Sequence, residues 1–301
     1  MSELPPDAHG SADGVAVFDA HRPYLASVAY RLLGSVADAD DVLQDAWLRW
    51  RTVDHGTVED PRAYLTRTVT RLCYDLLRSA RVRREAYVGE WLPEPAVVEE
   101  VSPAERAVVG EEVSLAMLAV LEKLTPAERT AFVLHDVFAV DFAEIATALD
   151  RSPEAVRQLA SRARRRVGEQ SGRSRPVDPA EHRRAVAAFT AAAVGGDMGA
   201  LVSVLAPDVV WHSDGGGVVS AAVRPIFGAD KVARTVLGLG AKFVATGEAT
   251  LAPALVNGEP GLITRDAEGR LSGVMGFAVA DGRITEMYIV LNPEKLRHLE
   301  A

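Results

Sequence analysis

The chain has 301 residues, of which 48% are hydrophobic, and a formal net charge of −9 at pH 7. That length suffices for two or three domains. The acidic balance excludes a protein that coats nucleic acid regardless of sequence, so any DNA contact must rest on local basic patches. The single cysteine, Cys73, excludes an internal disulfide and a cysteine zinc site.

The first 14 residues are polar and acidic, which predicts a disordered arm. They do not form a signal peptide, because a signal peptide needs an apolar core. No later apolar run is long enough to span a bilayer, and a single cysteine suits a reducing compartment. We therefore expect a cytoplasmic protein that has no membrane partner.

Residues 15–86 have the spacing of three helices. An apolar stripe that ends at Gly34 predicts the first helix, and its members are Phe18, Leu25, Val28, Ala29, Leu32 and Leu33. The second helix, DADDVLQDAWLRWR, begins with acidic residues, where the helix dipole favours negative charge. The third begins at Asp60 and Pro61, a cap followed by a first-turn proline, and carries seven arginines between residues 62 and 84.

Residues 87–110 are rich in proline and glutamate and predict a linker, which contains the segment WLPEP at 91–95. This linker has a specific feature, because the tryptophan and the leucine directly before its prolines call for a partner surface. A second helical unit follows over residues 111–170, and a short linker rich in Gly, Ser and Arg follows over 171–178.

The stretch 124–167 contains two short helical patterns separated by a turn, and Ser152 and Pro153 suit the start of the second. The second helix has an apolar face of Val156, Leu159, Ala163 and Val167 and a polar face of Glu154, Arg157, Gln158, Ser161, Arg162 and Arg165. This layout predicts a helix-turn-helix, whose second helix enters a major groove. A plain helical hairpin with a solvated face is the alternative. The cluster Arg162, Arg164, Arg165 and Arg166 favours DNA, because phosphate neutralisation supplies affinity.

Residues 179–301 have a different pattern. Helices at 180–195 and 197–205 precede strand-like runs at 209–212, 242–251, 255–256, 262–265, 271–279 and 284–290, with another helix at 228–240. Asn257-Gly258 and Asp281-Gly282 are hairpin turn signals. Helices followed by a curved antiparallel sheet predict an α+β domain. Such a sheet wraps into a cone, whose apolar interior is a usual place for a small-molecule pocket.

Three motifs in this order resemble the extracytoplasmic-function group of bacterial RNA polymerase sigma factors. DADDVLQDAWLRWR is similar to the segment that binds core polymerase, and DPRAYLTRTVTRLCYDLLRSARVRRE to the segment that opens and reads the −10 promoter element. The stretch 124–167 is similar to the −35 reader. WLPEP, DGGG at 214–217 and the tail NPEKL at 292–296 resemble the subgroup with a fused SnoaL-like domain. The resemblance implies a multidomain protein with two all-α sigma domains, the second a helix-turn-helix, followed by an α+β NTF2-like cone domain.

The resemblance also implies site residues for core RNA polymerase and for promoter DNA. Core binding is assigned to Asp41, Gln44, Asp45 and Trp47. Binding of the −10 element is assigned to Arg67, Thr70, Arg71 and Arg78, and the loop 52–60 is placed to shape a pocket for an extruded base. Binding of the −35 element is assigned to Arg157, Gln158, Ser161 and Arg162 for base edges, and to Arg165 and Arg166 for phosphates.

We expect the C-terminal domain to regulate the sigma domains in cis through Trp91, Leu92, Pro93, Asp214, Gly215, Gly216, Gly217, Asn292, Pro293, Lys295 and Leu296. The candidate pocket for an unidentified small ligand consists of Trp211, His212, Phe243 and Phe277. A tethered enzyme of the cyclase or isomerase type and a ligand-sensing one-component transcription regulator are the alternatives. We expect no catalytic residue, cofactor or metal, because no strong acid–base or ligand constellation is present, and no separate anti-sigma site is evident.

Overall fold

A computed structural model of the chain describes residues 8–85, 87–98, 113–171, 178–244 and 247–300. The chain divides into two compact units. The first unit joins Met1–Arg83 with Leu124–Arg166, and the second joins Arg84–Lys123 with Val167–Ala301.

The secondary structure elements are numbered in chain order. The helices are α1 (Ala8–Leu33), α2 (Val36–Trp50), α3 (Pro61–Glu85), α4 (Leu115–Glu122), α5 (Pro126–Phe132), α6 (Phe142–Leu149), α7 (Pro153–Ser171), α8 (Pro179–Gly195), α9 (Met198–Val204), α10 (Ala229–Leu239) and α11 (Pro293–Leu296). The strands are β1 (Val97–Val98), β2 (Leu205–Asp214), β3 (Ile226–Phe227), β4 (Ala249–Val256), β5 (Glu259–Asp266), β6 (Leu271–Ala280) and β7 (Arg283–Val290). Short turns of π-helix cover Val133–Val137 and Gly240–Val244, and 3-10 turns cover His55–Thr57 and Arg297–Leu299.

Capping side chains fix the starts of the helices in the first unit. At α2 the Ser35 hydroxyl accepts a hydrogen bond from the Asp38 backbone N–H at 3.0 Å. At α5 Thr125 and Glu128 form a reciprocal capping box. After α6, Asp150 takes a left-handed conformation with φ 53°, which ends that helix before α7 begins. The predicted helix-turn-helix is therefore present as α6 and α7.

The core of the first unit begins with the predicted apolar stripe of α1, whose members are all buried. Trp50 is also buried, and its Nε1 donates to the Gly14 carbonyl at 2.8 Å. Buried Arg129 of α5 donates from Nη1 to the Leu32 carbonyl at 3.0 Å, which ties α5 to α1. Because α1 begins at Ala8, the predicted disordered arm over residues 1–14 is wrong for residues 8–14. Residues 1–7 lie outside the described residues.

Within the described residues, the second unit has one seven-stranded sheet in the order β1-β4-β5-β6-β7-β2-β3. Neighbouring strands are antiparallel except β2 and β7, which are parallel. The turn residues Asn257, Gly258, Asp281 and Gly282 all have positive φ. Two-residue turns of this kind match the twist of the strands they connect, so the two predicted hairpins, β4–β5 and β6–β7, are confirmed.

Both faces of this sheet are covered. Helices α8, α9 and α10 cover one face, where the rings of Phe189 and Phe277 have centroids 5.4 Å apart. The linker, α4 and α11 cover the other face, where Leu92, Leu115 and Leu296 join one apolar cluster. Burial on both sides explains why β6 and β7 have nearly continuous apolar runs instead of strict alternation.

The compact units do not follow the predicted boundaries. β1 lies in the predicted linker 87–110, yet it pairs with β4. α4 lies in the predicted helical unit 111–170, yet it packs on β6, where a Cβ added to Gly276 would lie 3.0 Å from Leu115 Cδ2. Residues 99–112, which include the rest of that linker, lie outside the described part of the chain. The strand predicted from residue 242 is also wrong at its start, because 240–244 form a π-helical turn and β4 begins at Ala249.

We predict that Leu115→Ala lowers the free energy of unfolding of the second unit by about 2–5 kcal/mol, because it leaves a cavity under α4. Leu48→Ala is the matched control, since Leu48 is 49% exposed and its truncation should cost less than about 0.5 kcal/mol. Urea denaturation of the full chain, followed by hydrogen exchange of β6 amides, gives the free energy of unfolding for each variant. Equal effects of the two substitutions would contradict the packing of α4 on this sheet.

Candidate functional site

The acidic helix α2 presents one exposed polar face. Asp41, Gln44 and Asp45 are all exposed, and Leu48 continues the same face at the next helical position. Trp47 differs from them: it is half-buried, and its ring lies 5.1 Å from that of Phe18. Sequence reasoning missed Leu48, although its spacing from Asp41, Gln44 and Asp45 was a readable signal.

The arginine-bearing helix α3 presents a second face. Arg67, Arg71 and Arg78 are exposed, and Tyr74 lies between them at helical spacing. The Arg78 guanidinium lies 5.8 Å from the Tyr74 ring centroid. Thr70 has no exposed surface, so its prediction as a DNA contact is wrong: it lies on the buried side of the helix with Val69 and Cys73. Tyr74 is the residue that sequence reasoning missed on this face.

The loop 52–60 is held against the end of α2. Its 3-10 turn contains His55, whose ring stacks 4.3 Å from that of Trp50 and whose Nε2 lies 3.0 Å from the Trp50 carbonyl. The Asp54 side chain accepts a hydrogen bond from the Gly56 N–H at 3.1 Å. The loop therefore has a defined conformation next to the start of α3.

Helix α7 separates its two faces as predicted. Val156, Leu159, Ala163 and Val167 are buried, whereas Arg157, Gln158, Ser161, Arg162, Arg165 and Arg166 are exposed. Ser152 caps the helix, since its hydroxyl accepts from the Ala155 N–H at 3.2 Å. Several arginines of α7 have partners in this unit. Arg157 forms an exposed pair with Glu154 at 3.4 Å, whereas Arg164 contacts Asp136 at 2.5 Å and Arg166 contacts the buried Glu128 at 2.7 Å. Arg166 thus has a structural role at the capping box of α5.

Residues of the motifs WLPEP, DGGG and NPEKL come together with Tyr87 in the second unit. We call this group the Asp214 cluster, and its members are Tyr87, Trp91, Leu92, Asp214, Asn292 and Lys295. The Asp214 carboxylate is completely buried and Lys295 is 6% exposed, with Nζ 2.7 Å from Oδ2. The same Oδ2 accepts from the Leu92 N–H at 2.9 Å. Oδ1 accepts from the Tyr87 hydroxyl at 2.7 Å and from the Gly216 N–H at 3.0 Å. One carboxylate therefore joins the linker, the glycine loop and the tail.

The Tyr87 hydroxyl has a second hydrogen-bond partner, because Asn292 Nδ2 donates to it at 2.8 Å. Burial raises the pKa of Tyr87, and its hydrogen bond to Asp214 raises it further. The phenol therefore stays protonated and remains a donor to the carboxylate. Tyr87 is a member of the cluster that sequence reasoning missed; its position four residues before Trp91 was the only local signal.

Close approach explains the glycines that follow Asp214. Gly216 has φ 65°, and a Cβ there would lie 2.5 Å from the Asn292 side chain. A Cβ on Gly215 would lie 2.2 Å from the Val219 carbonyl oxygen. The glycine run thus permits close contact between the loop and the tail within the second unit. Pro93 and Leu296 are buried beside this cluster, whereas Gly217 and Pro293 are exposed.

The candidate pocket residues do not come together. Trp211 and Phe277 lie in the apolar core under α8, α9 and α10. His212 points to the opposite face, where its ring stacks 5.2 Å from that of Tyr288 and its Nδ1 lies 2.9 Å from Glu90 Oε1. Phe243 lies in the π-helical turn, with Lys242 Nζ 4.7 Å from its centroid. The predicted four-residue pocket is therefore wrong.

Burial raises the pKa of Tyr288, and the neighbouring carboxylate of Glu286 raises it further.

No group of three or more His, Cys, Asp or Glu side chains suited to a metal ion occurs among the described residues. In the same part of the chain, no helix combines the length and the apolar character needed to cross a membrane.

Comparison with known proteins identifies the family of the chain. The sequence matches Sigma-70 region 2 over residues 17–83 and Sigma-70, region 4 over residues 114–167. It is 44% identical over 290 residues to ECF RNA polymerase sigma factor SigJ of Mycobacterium tuberculosis, with 93% of this chain and 92% of that protein covered. The chain belongs to the extracytoplasmic-function (ECF) family of RNA polymerase sigma factors.

One further relative and one solved structure extend the likeness over nearly the whole chain. The probable ECF RNA polymerase sigma factor SigI of M. tuberculosis is 36% identical over 289 residues, covering 95% of this chain and 96% of that one. The crystal structure of M. tuberculosis SigJ aligns with a TM-score of 0.75 and 42% identity over 94% of this chain and 98% of that chain. As an ECF sigma factor, the chain binds core RNA polymerase and directs promoter-specific transcription. As a member of this family it is not an enzyme, so the tethered-enzyme alternative is set aside, and its second unit is an α+β domain.

We predict that Asp214→Asn lowers the free energy of unfolding by about 3–5 kcal/mol, because it leaves the Lys295 ammonium buried without its counterion. Asp230→Asn is the matched control, since Asp230 forms an exposed pair with Arg234 that is worth at most about 1 kcal/mol. Urea denaturation of the full chain compares the two. A loss for Asp214→Asn no larger than that for Asp230→Asn would contradict the central position of this carboxylate.

Proposed function

We propose that the exposed face of α2 is the surface for core polymerase. Asp41, Gln44 and Asp45 offer charge and hydrogen bonds to a basic partner, which sets orientation and association rate. Leu48 adds an exposed apolar side chain at the C-terminal end of this face, and its burial by a partner contributes to affinity. Trp47 supports the face from below through its contact with Phe18.

The exposed face of α3 binds the −10 element in this proposal. Strand opening requires a protein that prefers unpaired bases, which takes cations for the backbone and an aromatic surface for stacking. Arg67, Arg71 and Arg78 supply the cations, and Tyr74 between them supplies the ring. The ordered loop 52–60 lies beside the start of this helix and suits an extruded base.

The exposed face of α7 reads the −35 element. Arg157, Gln158, Ser161 and Arg162 precede the last turns of the helix and face solvent, which suits base edges in a major groove. Arg165 is assigned to phosphate. Arg166 is a weaker phosphate candidate than the sequence suggested, since Glu128 holds its guanidinium.

We further infer that the SnoaL-like domain regulates transcription in cis. The observation that carries this proposal is the burial of the linker and of α4 on the face of the sheet opposite to α8, α9 and α10. α4 belongs to the segment matched by region 4, so the domain controls how the first helix of region 4 is presented. An intramolecular contact acts at a high effective concentration, so a modest interface suffices. We expect this regulation to occur in the cytoplasm, where promoter DNA and RNA polymerase are found.

We predict that Arg157→Ala changes the sequence preference at a position of the −35 element, with a loss of about 1–3 kcal/mol on the preferred base. Arg165→Ala is the control, since loss of a phosphate contact weakens all sequences alike and lowers the salt dependence by about one ion. Binding of polymerase holoenzyme to a panel of promoter variants measures both. Equal losses on every variant for Arg157→Ala would refute its base-reading role.

We predict that removal of residues 292–301 alters promoter-dependent transcription in vitro with core polymerase, because it removes Lys295 and Asn292 from the linker contacts. The control is Lys231→Ala, a substitution on the exposed face of α10. Binding of each variant to core polymerase is measured in parallel. This separates a loss of core binding through α2 from a change in regulation. Unchanged transcription after removal of the tail would count against regulation in cis.

A further inference from the structure

The ammonium group of Lys295 is enclosed by aromatic rings and oxygen atoms. Its Nζ lies 3.6 Å from the Trp91 ring centroid and 5.3 Å from the Tyr87 ring centroid. The Asp214 carboxylate accepts from it at 2.7 Å, and the Leu92 carbonyl oxygen accepts a second hydrogen bond. Faces of aromatic rings combined with a carboxylate are the chemistry by which proteins recognise organic cations.

The enclosure and the cation come from different parts of the chain. Tyr87, Trp91 and Leu92 belong to the linker, and Asp214 ends β2. Lys295 belongs to α11, a four-residue helix near the end of the chain. Three of the walls are held without Lys295, because Tyr87 and Leu92 each donate a hydrogen bond to Asp214. These hydrogen bonds do not involve the lysine itself, so the same walls are available to another ammonium group.

We propose that Tyr87, Trp91 and Asp214 form an alkylammonium-binding site, which Lys295 occupies in cis and for which a free primary alkylammonium competes. This inference goes beyond the regulatory role proposed above and does not depend on it, since occupancy is a property of the second unit alone. Its consequence is that attachment of the linker to the sheet depends on an ammonium group in the site.

The hydrogen bonds define which cations fit. The Asp214 and Leu92 oxygens each accept an N–H, so a primary ammonium satisfies both. A quaternary ammonium has no N–H and donates to neither oxygen, and the loss of these hydrogen bonds is costly in a buried site. An unbranched alkyl chain follows the course of the lysine stem, so n-propylammonium is the probe of choice. A neutral alcohol of the same length lacks the charge that Asp214 requires.

The experiment is a chemical rescue of Lys295→Ala in the full chain. Hydrogen exchange of the Leu92 amide is the readout, because that N–H is bonded to Asp214 Oδ2 at 2.9 Å. We expect the substitution to accelerate this exchange by about tenfold or more, through local opening of the linker. Addition of n-propylammonium restores protection in a saturable manner, whereas n-propanol and tetramethylammonium at the same concentration and ionic strength do not.

Two control variants define the result. Lys231→Ala removes an exposed lysine of α10 and should leave the Leu92 amide unchanged. Lys295→Ala combined with Asp214→Ala removes the carboxylate as well, so n-propylammonium should no longer protect the linker. Failure of n-propylammonium to restore protection to Lys295→Ala, or equal protection by tetramethylammonium, would overturn the proposal.

If Lys295→Ala does not fold alone, the yield of refolding replaces the exchange measurement. A ligand that binds only the native state raises the folded fraction in proportion to its occupancy. We then expect a higher yield with n-propylammonium than with tetramethylammonium, and an equal yield would overturn the proposal. Transcription is not a readout here, so failure of this experiment leaves the assignment of the promoter surfaces untouched.

Discussion

The buried carboxylate of Asp214 is the constraint on which the second unit depends. Its two oxygens accept hydrogen bonds from the linker, from the glycine loop and from the tail. A buried charge is tolerated only when its lone pairs and its counterion are all in place. Segments that lie more than 80 residues apart in the chain are therefore held in one arrangement. Loss of one segment weakens the attachment of the others.

The two faces of the sheet in the second unit have different partners. One face packs on α8, α9 and α10 and forms an apolar core with them. The other face receives the linker, β1 and α4. Because α4 lies within the segment matched by Sigma-70, region 4, that segment is divided between the two compact units.

Local patterns predicted much of this fold. Periodicity and capping residues gave α2, α3, α6 and α7, and the turn pairs Asn257-Gly258 and Asp281-Gly282 gave both hairpins, because these features depend on a few neighbouring residues. Local patterns failed where tertiary packing decides. Thr70 has a polar side chain but lies one position from Val69 on the buried side of α3. His212 and Trp211 are adjacent and point to opposite faces of the strand, so they could not line one pocket.

The contacts of the Asp214 cluster were also beyond local reasoning. The motifs WLPEP, DGGG and NPEKL were assigned to regulation by resemblance, but nothing in their spacing placed Lys295 over Trp91 or brought Tyr87 to Asp214. Such contacts depend on the sheet register, in which β2 lies parallel to β7 and ends beside the start of the tail. The same limit applied to α4, whose apolar character on nearly all sides fits several partners equally well.

The central claim is that the linker and α4 are structural parts of the C-terminal unit. Native-state hydrogen exchange of the full chain in rising, sub-denaturing urea tests it most directly, since segments of one cooperative unit lose protection together. The account predicts that amides of Leu92 and α4 lose protection at the same urea concentration as β6 and β7. Loss of protection of α4 together with α5, α6 and α7, while β6 and β7 remain protected, would contradict it.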